Sequence, residues 1–229
     1  CTNPQLHLEI IVVDNGSQDN LAGQLPARFR DVLLIANDDN LGFARASNQG
    51  IRRAVGKYIL LLNPDTVFQD DVLSRLMALA EGEQAGVVVG PQLLSPDGTA
   101  QSASARRLPG LCTIAARLIG LERLQPSLYR RLTAYPPDRD QTVEAISGAC
   151  TLVPAALFAQ VGLLDETMPM GGEDIDWYKR AKDAGIVIRY LHQPRLLHIG
   201  GASRALALER TDMAGYAALY YYFKKHHGS

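Results

Sequence analysis

The stretch Tyr58-Ile-Leu-Leu-Leu-Asn-Pro-Asp65-Thr66 decides the fold of this 229-residue chain. Its five apolar residues, 58–62, show no polar alternation, which is typical of a strand buried on both faces of a parallel sheet. Pro64 ends the strand because it lacks a backbone donor, and Asp65 follows as a single carboxylate. Open α/β sheets bind ligands beyond the carboxyl ends of their strands. The stretch therefore predicts a ligand-binding sheet edge, although a strand end that caps a following helix has the same pattern.

The segments around this strand alternate between strand and helix patterns. Apolar runs at 8–14, 32–35 and 86–90 predict strands, whereas 43–54 and 71–80 predict helices. Further along, ordered structure is expected to resume at 143–153, and the pattern predicts helices ending at Val161 and covering 173–185, short strands at 187–191 and 195–198, and a terminal helix at 205–225. This alternation predicts an α/β fold with a doubly wound, mostly parallel sheet flanked by helices.

Composition narrows the class of protein. A net charge of −1 without a large basic block argues against a nucleic-acid partner, and no apolar run is long enough for a membrane span. Cys1, Cys112 and Cys150 lie too far apart for a zinc motif or a disulfide framework, so we expect reduced thiols and a cytoplasmic location. The chain begins without Met and runs almost directly into a strand, so we expect residues upstream.

The middle of the chain has a different character. Residues 101–142 contain seven arginines and four prolines with weak periodicity, which predicts a mobile insert. We therefore expect one domain over residues 1–229, in which this insert separates a first half at 1–100 from a second half at 143–229.

Acidic residues and one histidine are the candidates for chemistry. Asp14 and Asp65 each end a predicted strand, Glu173 and Asp174 begin a helix after two glycines, and His198 closes a short strand. A carboxylate and an imidazole are suitable ligands for a divalent metal. Each residue also has a structural interpretation: a turn for Asp14, a helix start for the acidic pair, and a packed histidine for His198. No P-loop or dinucleotide-binding glycine motif is present.

A series of motifs resembles family 2 glycosyltransferases of the GT-A fold. The motifs are VVDNGS (12–17) with Asp19, NLGFA (40–44) with Asn48 and Gly50, LNPDT (62–66), GACTLVP (148–154), LDE (164–166), EDIDW (173–177) with Arg180, and His198 with Gly200 and Ser203. The subgroup that the chain resembles is the bacterial rhamnosyltransferase-like set, which builds cell-surface polysaccharides. The ordered series, spanning about 10–203, is more specific than any one motif.

The resemblance implies a metal-dependent, inverting glycosyltransferase that uses Mn²⁺ or Mg²⁺. It implies that Asp174 is the catalytic base with Glu173 beside it for acceptor or donor hydroxyls, and that Asp65 and His198 hold the metal. It implies that Asp14 contacts the base of the nucleotide. It assigns binding of the nucleotide sugar to the following residues: Asp14, Asn15, Ser17, Asn40, Gly42, Asn48, Asn63, Asp65 and Trp177. On this basis 1–100 is the nucleotide-binding half and 143–229 the acceptor and catalytic half.

Two features depart from the family pattern. Asn63 stands where many relatives carry an acid, so the metal site has one charge fewer, and the family's first strand is absent from the start of the chain. Trp177 has two interpretations, stacking on a sugar ring or packing in the core. Asp176 is expected to pair with Arg180 one helical turn later.

The partners follow from the same resemblance. We expect a nucleotide diphosphate sugar as donor, with dTDP-rhamnose suggested by the subgroup, and a glycan or lipid-linked acceptor. The aromatic and basic run YYYFKKHH (220–227) suggests peripheral contact with the inner face of the cell membrane, and a packed terminal helix is the alternative. Other functions that fit are a nucleotidyltransferase and an inactive sugar-nucleotide binding module. The oligomeric state is left open.

Overall fold

The computed structural model describes residues 6–83, 86–169, 171–200 and 208–228, with side chains from residue 215 onward in the last range. Its strands are β1 (Ile10–Asn15), β2 (Val32–Asn37), β3 (Tyr58–Leu62), β4 (Thr66–Phe68), β5 (Val87–Leu94), β6 (Gln141–Thr142), β7 (Cys150–Pro154) and β8 (Val187–His198). Its helices are α1 (Leu21–Arg28), α2 (Phe43–Arg53), α3 (Val72–Gly82), α4 (Leu111–Leu118), α5 (Leu121–Leu124), α6 (Pro126–Thr133), α7 (Ala155–Val161), α8 (Glu173–Asp183) and α9 (Leu208–His227).

The strands form two sheets of mixed direction. β1 and β2 make a parallel pair, and the larger sheet has the order β3-β7-β5-β8-β4, with β6 added to β8. Among the described residues, β5 and β8 are the one parallel pair of the larger sheet. β7 lies between β3 and β5 and runs antiparallel to both, and β4 and β6 run antiparallel to β8. The predicted α/β class with flanking helices is confirmed, whereas "mostly parallel" is wrong: an apolar run shows that a strand is buried but not the direction of its neighbour.

The larger sheet is covered by helices on both faces. Successive residues of β5 point to opposite sides, so that Val88 joins one apolar cluster while Val87 and Val89 join the other. The first cluster includes residues of α2, α7 and α8, and the second includes Leu76 and its neighbours on α3. The result is a layer of helices on each side of a central sheet, with α8 and its acidic start in the first layer.

The predicted insert is attached to the sheet at both ends. Arg106 and Ala145 exchange two backbone hydrogen bonds of 2.8 and 3.0 Å, and the side chain of Gln92 donates to the carbonyl of Pro137 at 2.8 Å. The helices α4, α5 and α6 lie between these anchors. Weak periodicity therefore gave the wrong expectation for the ends of 101–142, which are ordered by long-range pairing. The mobility of the segment and the division into halves stay predictions.

The end of β8 brings distant residues to the edge of the sheet. The two short strands predicted at 187–191 and 195–198 are one strand, and its last residue, His198, lies opposite Thr66 of β4. The terminal helix is present as predicted from Leu208 onward, whereas 205–207 and Ser203 lie outside the described residues. No helix in the described ranges is long and apolar enough to cross a membrane.

Candidate active site

Asp65 and His198 meet at the edge of the sheet. Asp65 lies in the turn between β3 and β4, and His198 ends β8, so the pairing of β4 with β8 places them side by side. The backbone N–H of Ile199 donates to the carbonyl of Asp65 at 2.9 Å, and Nε2 of His198 lies 3.4 Å from Oδ1 of Asp65. The structure therefore brings together the two residues that the sequence analysis assigned to a metal.

Gln101 fixes the orientation of the His198 ring. Its Nε2 donates to the backbone carbonyl of His198 at 2.9 Å, which leaves its Oε1 as an acceptor 2.9 Å from Nδ1 of the same residue. Since only a protonated Nδ1 can donate to that oxygen, a neutral imidazole presents the lone pair of Nε2 to Asp65. A lone pair facing a carboxylate is unfavourable unless a proton or a cation lies between them.

Asp174 is held by Arg106, a half-buried arginine. Oδ2 of Asp174 lies 2.5 Å from Nη2 of Arg106, and Oδ1 accepts from the backbone N–H of Ile175 at 2.7 Å. Nη2 of Arg106 also donates to the carbonyl of Ile146 at 2.9 Å. Burial disfavours the charge on Arg106, but Asp174 outweighs it and holds the pKa of Arg106 above its usual range. The pair holds the Asp174 side chain in place.

Glu173 turns away from the position that the sequence analysis gave it. It is buried, and its Oε2 accepts from the backbone N–H groups of Gly171 at 2.7 Å and of Gly172 at 3.0 Å. Burial, followed by the charge of Asp174, raises the pKa of Glu173 to about 7. The carboxylate thus caps the start of α8, and this role replaces the predicted contact with substrate hydroxyls.

The loop at Gly148 lies close to the end of β3 and to the start of α8. Ala149, the neighbour of Gly148, accepts a 2.9 Å hydrogen bond from the backbone N–H of Asn63, two residues before Asp65. A Cβ at residue 148 would lie 3.9 Å from Oδ2 of Asp174 and 3.8 Å from the ring of Phe43. The end of β3, the start of α8 and the start of α2 therefore converge on the loop before β7.

A network of side-chain amides joins the end of β1 to the loop between β2 and α2. Asn15 donates to Oδ1 of Asn40 at 2.9 Å and accepts from the backbone N–H of Leu41 at 3.0 Å, while Asn40 accepts from the N–H of Gly42 at 3.0 Å. Asp14 is buried and accepts from the N–H of Ser17 at 3.0 Å, which is the turn geometry that its sequence predicted. Five of the residues assigned to the nucleotide sugar therefore lie at the end of β1 or in the loops that follow β1 and β2, the second of which leads through Gly42 to Phe43: Asp14, Asn15, Ser17, Asn40 and Gly42.

Asn48 has a structural role. Its side chain is buried, donates to the carbonyl of Leu164 at 2.8 Å and to Oε1 of Glu166 at 2.9 Å, and accepts from the N–H of Leu164 at 3.1 Å. These bonds attach α2 to the loop that follows α7. The assignment of Asn48 to the nucleotide sugar is therefore corrected, because its amide is already occupied by protein groups.

Trp177 belongs to the core, which is the second of its two interpretations. It is buried against Phe158, and its indole N–H donates to the carbonyl of Gly162 at 2.8 Å. A buried ring has no face free for a sugar, so its assignment to the donor is corrected.

Asp176 is fully buried and forms the predicted pair with Arg180 at 2.9 Å. It also lies 2.8 Å from Nζ of Lys225 and 2.7 Å from Nε2 of His226. Asp176 therefore joins α8 to α9, and it faces away from Asp174 as helical spacing requires.

The donor groups present for a metal are few. In the parts of the chain that the structure describes, no three His, Cys, Asp or Glu residues cluster in a way that could hold an ion. Asp65 and His198 supply one oxygen and one nitrogen, a chemically suitable pair, and Asn63 two residues earlier adds no charge. A divalent ion at this point needs further oxygens from a substrate.

Sequence reasoning missed two residues of the site. Gln101 and Arg106 both lie at the start of the predicted insert, and their partners are 97 and 68 residues further along the chain. The only signal was the high arginine content of that segment, and it does not distinguish Arg106 from its neighbours.

Comparison with known proteins places the chain in a family. A sequence model described as "Glycosyl transferase family 2" matches residues 1–146. The chain is similar to the N-acetylglucosaminyl-diphospho-decaprenol L-rhamnosyltransferase of Mycobacterium tuberculosis, with 28% identity over 208 residues. That alignment covers 83% of this chain and 66% of the relative, so the chain spans about two-thirds of the length of that protein.

Solved structures share the fold. A crystal structure of GalNAc-T7 with UDP, GalNAc and Mn²⁺ has a TM-score of 0.59 and 17% identity, covering 84% of this chain and 38% of the other. The crystal structure of Staphylococcus aureus TarS 1–349 has a TM-score of 0.56 and 15% identity, covering 96% of this chain and 63% of the other. These likenesses confirm the predicted GT-A fold.

Proposed function

Because this chain belongs to glycosyltransferase family 2, and to its rhamnosyltransferase-like members, we propose that it transfers a sugar from a nucleotide diphosphate sugar to an acceptor hydroxyl. The observation that carries the proposal is the contact between Asp65 and His198 at the sheet edge, with Asp174 beside Gly148 in the loop before β7. A base and a diphosphate-binding group on one sheet edge suit a displacement at the anomeric carbon.

Two adjacent carboxylates are candidates for the base. Glu173 has a pKa of about 7, which suits proton transfer, but it is buried and bonded to backbone N–H groups. Asp174 is less buried than Glu173 and its Oδ2 lies beside Gly148, although Arg106 and the N–H of Ile175 already bond its two oxygens. We assign the base to Asp174 because access to the substrate is the first requirement. Arg106 then holds the carboxylate in place.

The reaction is a single displacement. Asp174 takes the proton of the acceptor hydroxyl as its oxygen forms a bond to the anomeric carbon, and the bond to the nucleotide diphosphate breaks with its electron pair on the phosphate oxygen. Attack from the face opposite the leaving group inverts the anomeric configuration. Retention through a covalent intermediate needs a second carboxylate on the other face of the sugar, by analogy with glycosidases.

Asp65 and His198 are the residues that would hold Mn²⁺ or Mg²⁺. The observation that supports this assignment is the Nε2 lone pair of His198 turned toward Asp65, which a cation between them would stabilise. When bound, such an ion neutralises the charge that develops on the diphosphate. Because the described residues supply two protein donors, diphosphate oxygens are expected to complete the coordination, so we expect metal and donor to bind together.

The donor and acceptor are proposed from the relatives. The amide network of Asn15 and Asn40 is assigned to the nucleotide, and Asp14 is assigned to contact the nucleotide base, as the family pattern implies. The Mycobacterium tuberculosis relative is named as an L-rhamnosyltransferase acting on a decaprenol-linked sugar. We therefore propose dTDP-rhamnose as the donor, a glycan or lipid-linked acceptor, and a place in the cytoplasm at the inner face of the cell membrane.

The base assignment is tested by a pair of variants, Asp174→Asn and Glu173→Gln. We expect Asp174→Asn to lower the transfer rate by about 10²- to 10⁴-fold while donor affinity, measured by calorimetry, stays within a few-fold. Glu173→Gln is expected to keep most of the activity. The reverse result would assign the base to Glu173, and normal turnover by both variants would remove both residues from the mechanism.

The metal assignment is tested by donor binding with and without Mn²⁺. We expect Mn²⁺ to strengthen donor affinity in the wild type and to have no effect in His198→Ala. Donor affinity that ignores Mn²⁺ in the wild type would show that the Asp65 and His198 pair does not hold a metal. Donor binding without transfer to any acceptor would favour a binding module, and release of pyrophosphate from a nucleoside triphosphate and a sugar phosphate would favour a nucleotidyltransferase.

A further inference from the structure

A large apolar groove lies away from the acidic residues. It has a volume of about 550 Å³ and runs between α4 and the second half of α9. Its apolar lining includes Leu111, Ile114, Leu118, Leu219 and Phe223. Neither the chemistry proposed above nor the fold requires a cavity here, because the two core clusters are built elsewhere.

The side chains around this groove are unusually exposed for their type. Leu111 is 79% exposed, Leu118 74% and Leu124 74%, and Ile119 lies between the last two on the same protruding segment. Tyr216 and Tyr220 are exposed on the α9 side. Contiguous apolar surface of this kind marks a binding surface, and tyrosines are enriched where a protein meets the membrane–water interface.

Basic side chains border the same surface. Arg117 and Lys224 line the groove, and Arg123 is exposed on α5. The Arg117 guanidinium lies 4.4 Å from the centroid of the Tyr216 ring. It also lies close to Gly215, where an added Cβ would be 3.3 Å from Nη2 of Arg117. In the part of the chain that the structure describes, no carboxylate forms an ion pair with these three residues. Their positive charge is therefore available to a partner.

We propose that this surface, defined by the α4–α9 groove with Leu124 and Arg123 of α5, docks onto a bilayer containing anionic phospholipid. Exposed leucines can enter the acyl boundary while the basic residues meet phosphate groups, which is the combination that interfacial helices use. A second copy of the chain is a poorer occupant. A twofold interface would bring the two basic borders together, and like charges oppose such contact.

The position of the surface deepens the proposed function. Ala218, next to groove residue Leu219, packs so closely on Gly172 that a Cβ at residue 172 would lie 3.0 Å from the Cβ of Ala218. Gly172 directly precedes Glu173 and Asp174. Docking at the groove therefore brings the start of α8 near the bilayer, where a lipid-linked acceptor is presented. This last step rests on the proposed function, whereas the docking itself does not.

The apolar part is tested by vesicle co-sedimentation of the full chain. We expect binding to phosphatidylcholine vesicles that contain phosphatidylglycerol and weaker binding to pure phosphatidylcholine. The double variant Leu118→Asp/Leu124→Asp should lower the partition coefficient about tenfold or more, because both side chains lose their apolar contact. Val55→Asp is the matched control, since Val55 is 83% exposed but lies between α2 and β3. It should bind as the wild type does.

The charged part is tested by Arg123→Ala/Lys224→Ala, with Arg30→Ala after α1 as control. Two charges near an anionic surface predict a loss of about thirtyfold, and added salt should remove the difference. Absence of wild-type binding, or equal binding by the aspartate variant, would overturn the proposal. So would a stable dimer that the same substitutions dissociate. A chain that ignores vesicles but transfers sugar to a soluble acceptor would lose this inference and keep the proposed function.

Discussion

Gln101 and His198 hold each other through two hydrogen bonds, one donated by each side chain. Nε2 of Gln101 reaches the backbone carbonyl of His198, and Nδ1 of His198 reaches Oε1 of Gln101, both at 2.9 Å. In a neutral ring, the second bond requires the tautomer that leaves Nε2 free toward Asp65. A neutral amide that never touches a substrate thus determines which ring nitrogen is available as a ligand.

Replacing this amide should weaken the proposed metal site without removing either ligand. We expect Gln101→Met to lower Mn²⁺-dependent donor affinity by about 10- to 100-fold, the usual effect of losing a partner that orients a ligand histidine. Gln69→Met, at an exposed glutamine after β4, is the control. The tautomer of His198 can be read by ¹⁵N NMR, and an unchanged Nδ1–H form in Gln101→Met would contradict the assignment.

Glu173 should make stability depend on pH. Its pKa is about 7 in the folded protein and near 4.5 ordinarily, so the folded state holds the proton more tightly than the unfolded state. The contribution of Glu173 therefore falls as the pH rises from about 4.5 to about 7, by about 3 kcal/mol, and stays low above that. Glu173→Gln should remove most of this loss in denaturant unfolding at pH 5 and pH 8. Glu81→Gln, on the exposed side of α3, should leave the pH dependence unchanged.

Asn48 should matter for stability and not for donor binding. Asn48→Ala leaves both the N–H and the carbonyl of Leu164 without their partner and removes a bond to Glu166. We expect a loss of about 3 kcal/mol in the free energy of unfolding. At a temperature where the variant is folded, its donor affinity should equal that of the wild type. A stable variant with weak donor binding would restore the assignment to the nucleotide sugar.

Arg106 should contribute to the stability of the folded protein as well as hold the base in position. Arg106→Met leaves the Asp174 carboxylate without its cation in a partly buried position. We expect a loss of about 2 kcal/mol, less than the 3–5 kcal/mol of a fully buried pair. The double variant Arg106→Met/Asp174→Asn should recover part of that stability, because no charge is then left unpaired. A double variant less stable than Arg106→Met would show that the two residues do not compensate each other.

The sequence was informative where the signal is local. The apolar run of β3, the acidic start of α8 and the Asp176–Arg180 spacing each follow from residues that are close in the chain, and all three are present. The strand that ends in His198 was also predicted, although as two shorter pieces. Strand direction was not predictable, since burial on both faces gives the same composition in parallel and antiparallel neighbours.

The errors in the site come from hydrogen bonds between distant residues. Asn48 and Trp177 were assigned to the donor because their positions match a family motif, but their partners, Leu164 and Gly162, complete buried contacts. Nothing in the composition of a loop shows that one of its carbonyls needs a donor. Gln101 was missed for the same reason, because an isolated glutamine in a polar segment has no pattern.

Asp176 carries a consequence for how the protein can be shortened. Its carboxylate is fully buried. It contacts Arg180 on its own helix and Lys225 and His226 near the end of α9. The last helical turn thus acts as a counterion for an acid on the helix that begins with Asp174. A recombinant form that stops before Lys225 would keep every proposed catalytic residue. Its buried Asp176 would, however, have one basic partner instead of three. Truncation within α9 for crystallisation is therefore expected to destabilise α8.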